Sequence, residues 1–222
     1  MTTTASSPNK IHLSGEHGVV YGSLALLAPI EVDGKRNKVT IEAKKGEGDF
    51  EFKGDLGQTE VKAGGAKGDE IYRPLASEHL FLSQKLPGLA AQDLSAKLEY
   101  SKAPKGSGNS ASIAAALACA VYASQGVKPT RDELYNAAFI ADNEYHGGKS
   151  SGGDVAAVLG NQPILFKKTF TEPPAWFKEV NAALPHETSL ILIQTSDRKT
   201  GTGKQIEAFA QAHGITKKPG GL

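Results

Sequence analysis

The stretch Ser101–Ala115, SKAPKGSGNSASIAA, sets a glycine-rich turn directly ahead of a long run of small helix-forming residues, and the rest of the chain is ordered around it. Gly106 and Gly108 open backbone conformations closed to other residues and let a ligand come close to the main chain. Asn109, Ser110 and Ser112 then offer caps and hydroxyls at a helix start, where unpaired N–H groups and the positive end of the helix dipole favour an anion. The turn therefore suits phosphate. The same letters also suit a glycine-rich connection before an ordinary core helix, because short glycine motifs match by chance. Asp93–Ser101, DLSAKLEYS, alternates like a strand and leads into the turn, so the local order is strand, glycine turn, helix. A phosphate loop needs that order.

Downstream, a second helix begins at Thr130, where Thr130 and Glu133 form the Ser/Thr-x-x-Glu pattern of a capping box just after Pro129. Leu134, Ala137, Ala138, Ala141 and Tyr145 supply its apolar face, and its end carries Asp142, Glu144 and His146. Gly147–Asp154, GGKSSGGD, follows. Glycines, serines, a lysine and a carboxylate packed this densely make little sense as core or plain linker; they suit a backbone shaped to present Asp154. A Walker A loop is excluded, since the glycine that motif needs five residues before Gly148 is Asn143. His146 reads as a helix-end residue serving a last-turn carbonyl, ahead of metal binding. Beyond lie apolar VAAVLG, a strand-like Pro163–Lys167, a segment with Trp176 and Phe177, and Thr188–Gln194, TSLILIQ, which reads as a buried strand. Thr195–Lys204 is dense in hydroxyls and cations, and Gln205–Ala212 reads as a helix start.

Upstream, Asn9–Tyr21, NKIHLSGEHGVVY, alternates and then turns at Gly15, with Glu16 and His17 side by side after the lysine Lys10. Taken alone these are a solvated loop pair and a strand end. Ser23–Ile30 is apolar and suits either a short helix or a buried strand. Lys38–Ala43 and Asp49–Lys53 alternate as antiparallel strands, with Lys44–Gly48 as their hairpin loop. Asp55–Asp69, rich in glycine and charge, reads as a mobile surface excursion. Glu70–Leu86 has a helical rhythm, with Leu75, His79, Leu82 and Leu86 on one face and Pro87-Gly88 at its end.

Composition bounds these readings. The 222 residues are enough for one large domain or for one and part of another, and 39% hydrophobic with 22% charged residues is the balance of a soluble globular protein. A formal charge of +1 gives no global reason to expect nucleic acid or an anionic membrane as partner. The single cysteine, Cys119, rules out an intrachain disulfide and a multi-cysteine zinc site and fits a reducing cytosol. Met1–Pro8 is polar, without the basic-then-apolar order of a signal peptide, and no stretch approaches the ~20 apolar residues of a membrane span. A cytoplasmic protein is expected.

Four stretches carry a family resemblance. NKIHLSGEHGVVYG (9–22) resembles the first motif of the GHMP kinases, and within them that of the mevalonate kinases. PKGSGNSAS (104–112) resembles their second, serine-containing ATP-phosphate motif; ADNEYHGGKSSGGDVA (141–156) the stretch that ends in the catalytic aspartate; and ILIQTSDRKTGTG (191–203) the strand and threonine-bearing loop that follow. The fold this implies is α+β and two-domain, with a ribosomal protein S5 domain 2-like amino-terminal domain over 1–187 and the beginning of a ferredoxin-like domain over 188–222. The activity implied is ATP-dependent phosphorylation of mevalonate to 5-phosphomevalonate, with another GHMP small-molecule kinase or a non-catalytic ligand-binding homologue as alternatives.

The resemblance also implies roles. Asp154 would take or orient the proton of the substrate hydroxyl, and Lys10 would sit beside it to help neutralise the transferring phosphoryl. Lys105, Gly106, Ser107, Gly108, Asn109, Ser110, Ala111 and Ser112 would wrap the ATP phosphates. Ser110 and Asp142, with Glu144 as alternative, would hold Mg²⁺. Glu16, His17, Gly152 and Thr202 would meet the substrate. The chain departs from the family at Ser107 and Asn109, where a leucine and a serine are usual, at Lys149 and Ser150, and in a loop one residue longer before Asp154. The family's third, glycine-rich motif is absent, so the expectation is either a fragment or a site completed another way, for instance across a homodimer.

Overall fold

The computed structural model describes residues 1–62, 65–169, 175–181, 208 and 210–215. In chain order its elements are β1 (Thr2–Ser7), β2 (Asn9–Ser14), β3 (Leu24–Ile30), β4 (Asn37–Lys45), β5 (Phe50–Gly54), β6 (Gly57–Lys62), β7 (Gly65–Gly68), α1 (Arg73–Lys85), β8 (Gln92–Glu99), α2 (Asn109–Ser124), α3 (Arg131–Tyr145), α4 (Gly153–Val158), β9 (Ile164–Lys168) and β10 (Ala175–Glu179). The class is α+β, as expected. Six strands form one sheet in the order β1-β4-β8-β5-β6-β7, and four form a second in the order β10-β9-β3-β2. Thr188–Gln194, Thr195–Lys204 and half of Gln205–Ala212 lie outside the described residues.

Two expectations are corrected in the larger sheet. KVTIEA and DFEFK do not form a hairpin, because β8 lies between them: Ala96 faces Ile41 in an antiparallel pair and Phe52 in a parallel one. The turn at Lys44–Gly48 is instead held by the entry to β8. Asp93 accepts from the backbone N–H groups of Glu47 (2.8 Å) and Asp49 (3.1 Å), and Gly46 N–H donates to Ala91 O (3.0 Å). Alternation fixes which face of a strand is buried but not which strand lies next to it. The described residues of Asp55–Asp69 lie largely on the surface, as expected, but form a meander, with β6 antiparallel to β5 and β7 antiparallel to β6. The apolar Ser23–Ile30 segment resolves as a strand, β3, paired with β2 on one side and β9 on the other.

The alternating residues of the larger sheet point one way into the core: Val39 and Ile41 of β4, Phe50 and Phe52 of β5, Leu94, Ala96 and Leu98 of β8 are all buried. Each large side chain buried in this way contributes about 1.5–3 kcal/mol. Against this face lies α2, packed on β1 and β4 and flanked by α1, α3 and α4. It is buried almost all round, which its alanines make possible, since a methyl side chain lets neighbouring backbones approach from every side. Ala137, Ala138 and Ala141 of α3 are fully buried on the helix face read from sequence. His79 is buried on the expected face of α1, stacked on Phe50 at 4.3 Å, and burial lowers its pKa to about 4. Among the described residues no helix is long and apolar enough to cross a membrane.

The capping box of α3 forms as read. Thr130 Oγ1 accepts from Glu133 N–H at 3.2 Å, and Thr130 N–H donates to Glu133 Oε2 at 2.7 Å. Thr130→Ala is therefore expected to cost about 1 kcal/mol. A urea melt checks this; an unchanged midpoint would show that tertiary packing alone fixes the helix start.

Candidate active site

Lys10 on β2 is 4% exposed, and its ammonium is held by three groups. Nζ lies 3.1 Å from Asp154 Oδ1, donates to Gly106 O at 3.2 Å and to His12 Nδ1 at 3.1 Å. Its own backbone N–H donates to Ser107 O at 2.9 Å. One lysine thus ties the glycine turn between β8 and α2 to the carboxylate at the start of α4. The Asp154 side chain keeps 18% exposure, so it is the member of the pair open to a ligand.

The glycine turn is shaped from below by buried amides. Asn9 Nδ2 donates to Asn109 Oδ1 (2.7 Å) and Ser107 O (3.3 Å), while Asn9 Oδ1 accepts from Ser101 Oγ (2.9 Å). Asn37 Oδ1 accepts from Ser101 N–H at 2.9 Å, and its Nδ2 donates to Ser112 Oγ at 2.9 Å. Each of these groups would cost about 1–3 kcal/mol if left unpaired, so the network fixes the turn's position firmly. Two capping expectations are corrected by it. The N-cap of α2 is Gly108, with no side-chain cap. Asn109 turns inward, donating to Ala103 O at 3.1 Å. Ser112 is fully buried, its hydroxyl donating to Ser7 O and its N–H to Gly108 O, so neither group is offered to the turn. Ser107 Oγ likewise donates back to Pro104 O at 2.6 Å. The N–H groups of Asn109, Ser110 and Ala111 remain at the uncapped helix start without intrahelical acceptors; Lys105 and Gly106 lie exposed at its rim.

Gly106 has φ +97° with open space where a Cβ would sit, whereas Gly108 has φ +69° and a Cβ there would lie 2.7 Å from Lys10 Cγ. Gly108 is therefore buried against the lysine and does not sit on a surface loop. Gly106→Ala is expected to cost only the strain of left-handed backbone, about 1–2 kcal/mol, whereas Gly108→Val adds displacement of Lys10 and should lose clearly more stability. Thermal melts separate the two; equal melting temperatures of both variants would contradict the packing role of Gly108.

Asp142, in the last turn of α3, is fully buried. Oδ1 accepts from Ser110 Oγ at 3.1 Å and Oδ2 from Ser150 Oγ at 2.6 Å, and His146 Nε2 lies 3.6 Å from Oδ1. Burial raises the Asp142 pKa, with His146 opposing and Asp154 adding to the rise. Glu144 faces elsewhere, 3.6 Å from Arg73, so of the two carboxylates only Asp142 stands beside Ser110. The imidazole of His146 faces a carboxylate; it does not serve a last-turn carbonyl as its position in sequence suggests.

Ser150 links this group to Asp154: its hydroxyl accepts from Gly152 N–H at 3.0 Å, and Lys168 Nζ donates to its carbonyl at 3.0 Å. Gly152 takes φ +79° as N-cap of α4, where a Cβ would collide with the Tyr135 hydroxyl. The long GGKSSGGD loop thus bends at a residue only glycine can supply and sets Asp154 in the first turn of α4. A small cleft of about 70 Å³ opens beside it, lined by Glu16, His17, His146, Lys149, Ser151, Asp154 and His12. Thr202 lies outside the described residues. Three residues that reading the sequence did not single out belong to the site: His12, Asn9 and Asn37. The signal for His12 was its i, i+2 spacing from Lys10, which puts both on one face of a strand.

The chain is similar in sequence and in fold to known proteins. Residues 80–161 match the family of GHMP kinase N-terminal domains. The mevalonate kinase of Aeropyrum pernix is 28% identical over 167 residues, 74% of this chain and 50% of that protein. Among solved structures, the Lin0012 protein of Listeria innocua has a TM-score of 0.71 at 15% identity, covering 96% of this chain and 67% of that one. The mevalonate kinase of Methanococcus jannaschii has 0.56 at 17%, covering 82% and 56%. Phosphomevalonate kinase of Streptococcus pneumoniae, in complex with phosphomevalonate and AMPPNP, has 0.58 at 16%, covering 74% and 49%. The fold is that of the GHMP kinases, and the sequence is similar to mevalonate kinase. The chain spans about half the length of the curated relative it matches.

Proposed function

We propose that this chain, with its GHMP kinase fold, forms the ATP-binding and catalytic part of a phosphotransferase that phosphorylates mevalonate to 5-phosphomevalonate, a step toward isoprenoid precursors. One observation carries the reading: Lys10 Nζ touches both Gly106 O of the glycine turn and Asp154 Oδ1, so a phosphate cradle and a proton acceptor share one cation. The acceptor's hydroxyl oxygen attacks the γ-phosphorus, the bond from that phosphorus to the ADP oxygen breaks, and the hydroxyl proton passes to Asp154. Lys10 offsets charge on the transferring group, and the N–H groups at the start of α2 hold the phosphates. Residues 1–187 would make this catalytic domain and 188–222 the start of a second.

Magnesium fits the donors present. Asp142 is a desolvated carboxylate held chiefly by neutral hydroxyls, and Ser110 offers a second hard oxygen beside it. When bound there, with phosphate oxygens and water completing its shell, the ion would neutralise phosphate charge. Glu16, His17 and Gly152 would meet the acceptor, with Thr202 from the second domain. Lys149 at the cleft favours an anionic acceptor, which also admits a phosphomonoester such as phosphomevalonate as a second reading. ADP release over a panel of mevalonate, phosphomevalonate, galactose and homoserine separates these. Turnover of mevalonate alone supports the first reading and turnover of phosphomevalonate the second; nucleotide binding without turnover of any acceptor overturns both in favour of a ligand-binding protein.

A further inference from the structure

We infer that His12 is a specificity-determining residue of this site, a neutral imidazole that donates its Nε2–H to an oxygen of the acceptor alcohol next to the hydroxyl facing Asp154. The inference rests on the kinase reading above and adds a residue to it.

The tautomer follows from the neighbours. Lysine ammonium has donors only, so the contact of Lys10 Nζ with His12 Nδ1 at 3.1 Å makes Nδ1 the acceptor and leaves the ring proton on Nε2. Burial and the adjacent Lys10 both lower the His12 pKa, Asp154 and Glu16 opposing them, which agrees with a neutral ring. Nε2 is itself buried and has no hydrogen-bond partner among the described residues. A buried donor without an acceptor is rare, and it marks a place where a ligand or ordered water completes the site.

The placement is built by the strand. Lys10 and His12 stand two apart on β2 and so share a face, and His12 lines the cleft together with Asp154, Glu16 and His17. Directly after His12 the register with β3 slips: His12 lies opposite Leu27 and Ser14 opposite Leu26, so Leu13 is an extra residue. Such bulges end a regular ladder and re-aim side chains beside active sites. Here the bulge re-aims the end of β2, and the chain leaves the sheet after Ser14 and brings Glu16 and His17 round to the same cleft. The chemistry this selects is an alcohol with a second oxygen close to the reacting one, such as a neighbouring hydroxyl or carboxylate. A simple alkanol lacks it.

Two variants and one spectroscopic measurement test this. His12→Gln keeps an acceptor for Lys10 and an N–H₂ donor in roughly the same places; His12→Leu keeps neither. With ADP release as readout, His12→Leu is expected to raise KM for the acceptor about tenfold or more while KM for ATP stays within about twofold. His12→Gln should restore most of the loss. Side-chain ¹⁵N NMR of the wild-type protein should place the His12 proton on Nε2 and show that resonance moving when mevalonate is added in the absence of ATP. An unchanged acceptor KM in a folded His12→Leu protein, a proton found on Nδ1, or an Nε2 resonance unmoved by every alcohol in the panel overturns the assignment. A wild-type protein that phosphorylates no alcohol, yet shows the His12 resonance shifting on acceptor binding, overturns the kinase reading and keeps this one.

Discussion

Asp154→Asn is expected to lower kcat by about 10²–10⁴-fold while the protein melts close to the wild-type temperature. The amide keeps the size of the carboxylate in the first turn of α4, so packing is preserved. It removes the group able to receive the acceptor's proton and the negative partner of Lys10, whose Nζ is 3.1 Å away. Because Asp154 is the partly exposed member of that pair, the change alters the face presented to a ligand more than the core behind it. KM for ATP should change little, since the helix start of α2 and the glycine turn stand on their own buried amides. A rate within threefold of wild type would show that proton transfer is not assisted from this position.

The second large effect concerns stability, and it comes from Glu78. This carboxyl lies in α1, fully buried, and neither oxygen makes a hydrogen bond among the described residues. Burial pushes its pKa well above the ordinary 4.5, the backbone at Ala118 offsetting only part of the rise. The folded state therefore binds this proton more tightly than the unfolded state does. Stability that is complete below pH 4.5 is lost as pH climbs toward the raised folded value, by about 1.4 kcal/mol for each unit of the rise. Glu78→Leu removes the titration and fills similar space with apolar atoms. The variant is expected to be more stable than wild type at pH 8 by several times its advantage at pH 5. The burial that raises Glu78 also pushes the Cys119 thiol to about 11, with Glu78 a second cause, so Cys119 adds nothing to this window. Urea midpoints at the two pH values check the prediction; parallel pH dependence in both proteins would refute it.

Much of the candidate site was legible from residue order because its parts are local. Strand, glycine turn and helix lie consecutively from Gln92 to Ser124, and the capping box of α3 is written in Thr130 and Glu133. The closeness of Lys10 and Asp154 was legible only through family resemblance, since nothing local joins residues 144 positions apart. What could not be read were the choices made over long distances. Whether β4 meets β5 or β8 depends on which neighbour completes a shared core face, and both strands alternate equally well. The polar Thr2–Ser7 segment gave no strand signal because neither face is apolar, yet it pairs along all of Asn37–Glu42. Asn9 and Asn37 look like surface residues by type and are completely buried, since Ser101, the glycine turn and the start of α2 supply their partners. His12 carried only its spacing from Lys10 as a signal, because a single histidine on an alternating strand reads as a solvent-facing residue, yet it lines the cleft beside Asp154.

The most direct test is a crystal structure of the protein with a non-hydrolysable ATP analogue, magnesium and mevalonate. The expected electron density places the β- and γ-phosphates against the backbone N–H groups of Asn109–Ala111, the metal on Ser110 and Asp142, and a mevalonate hydroxyl within hydrogen-bond reach of Asp154. Phosphates bound away from the start of α2, or an acceptor whose hydroxyl does not reach Asp154, would contradict it.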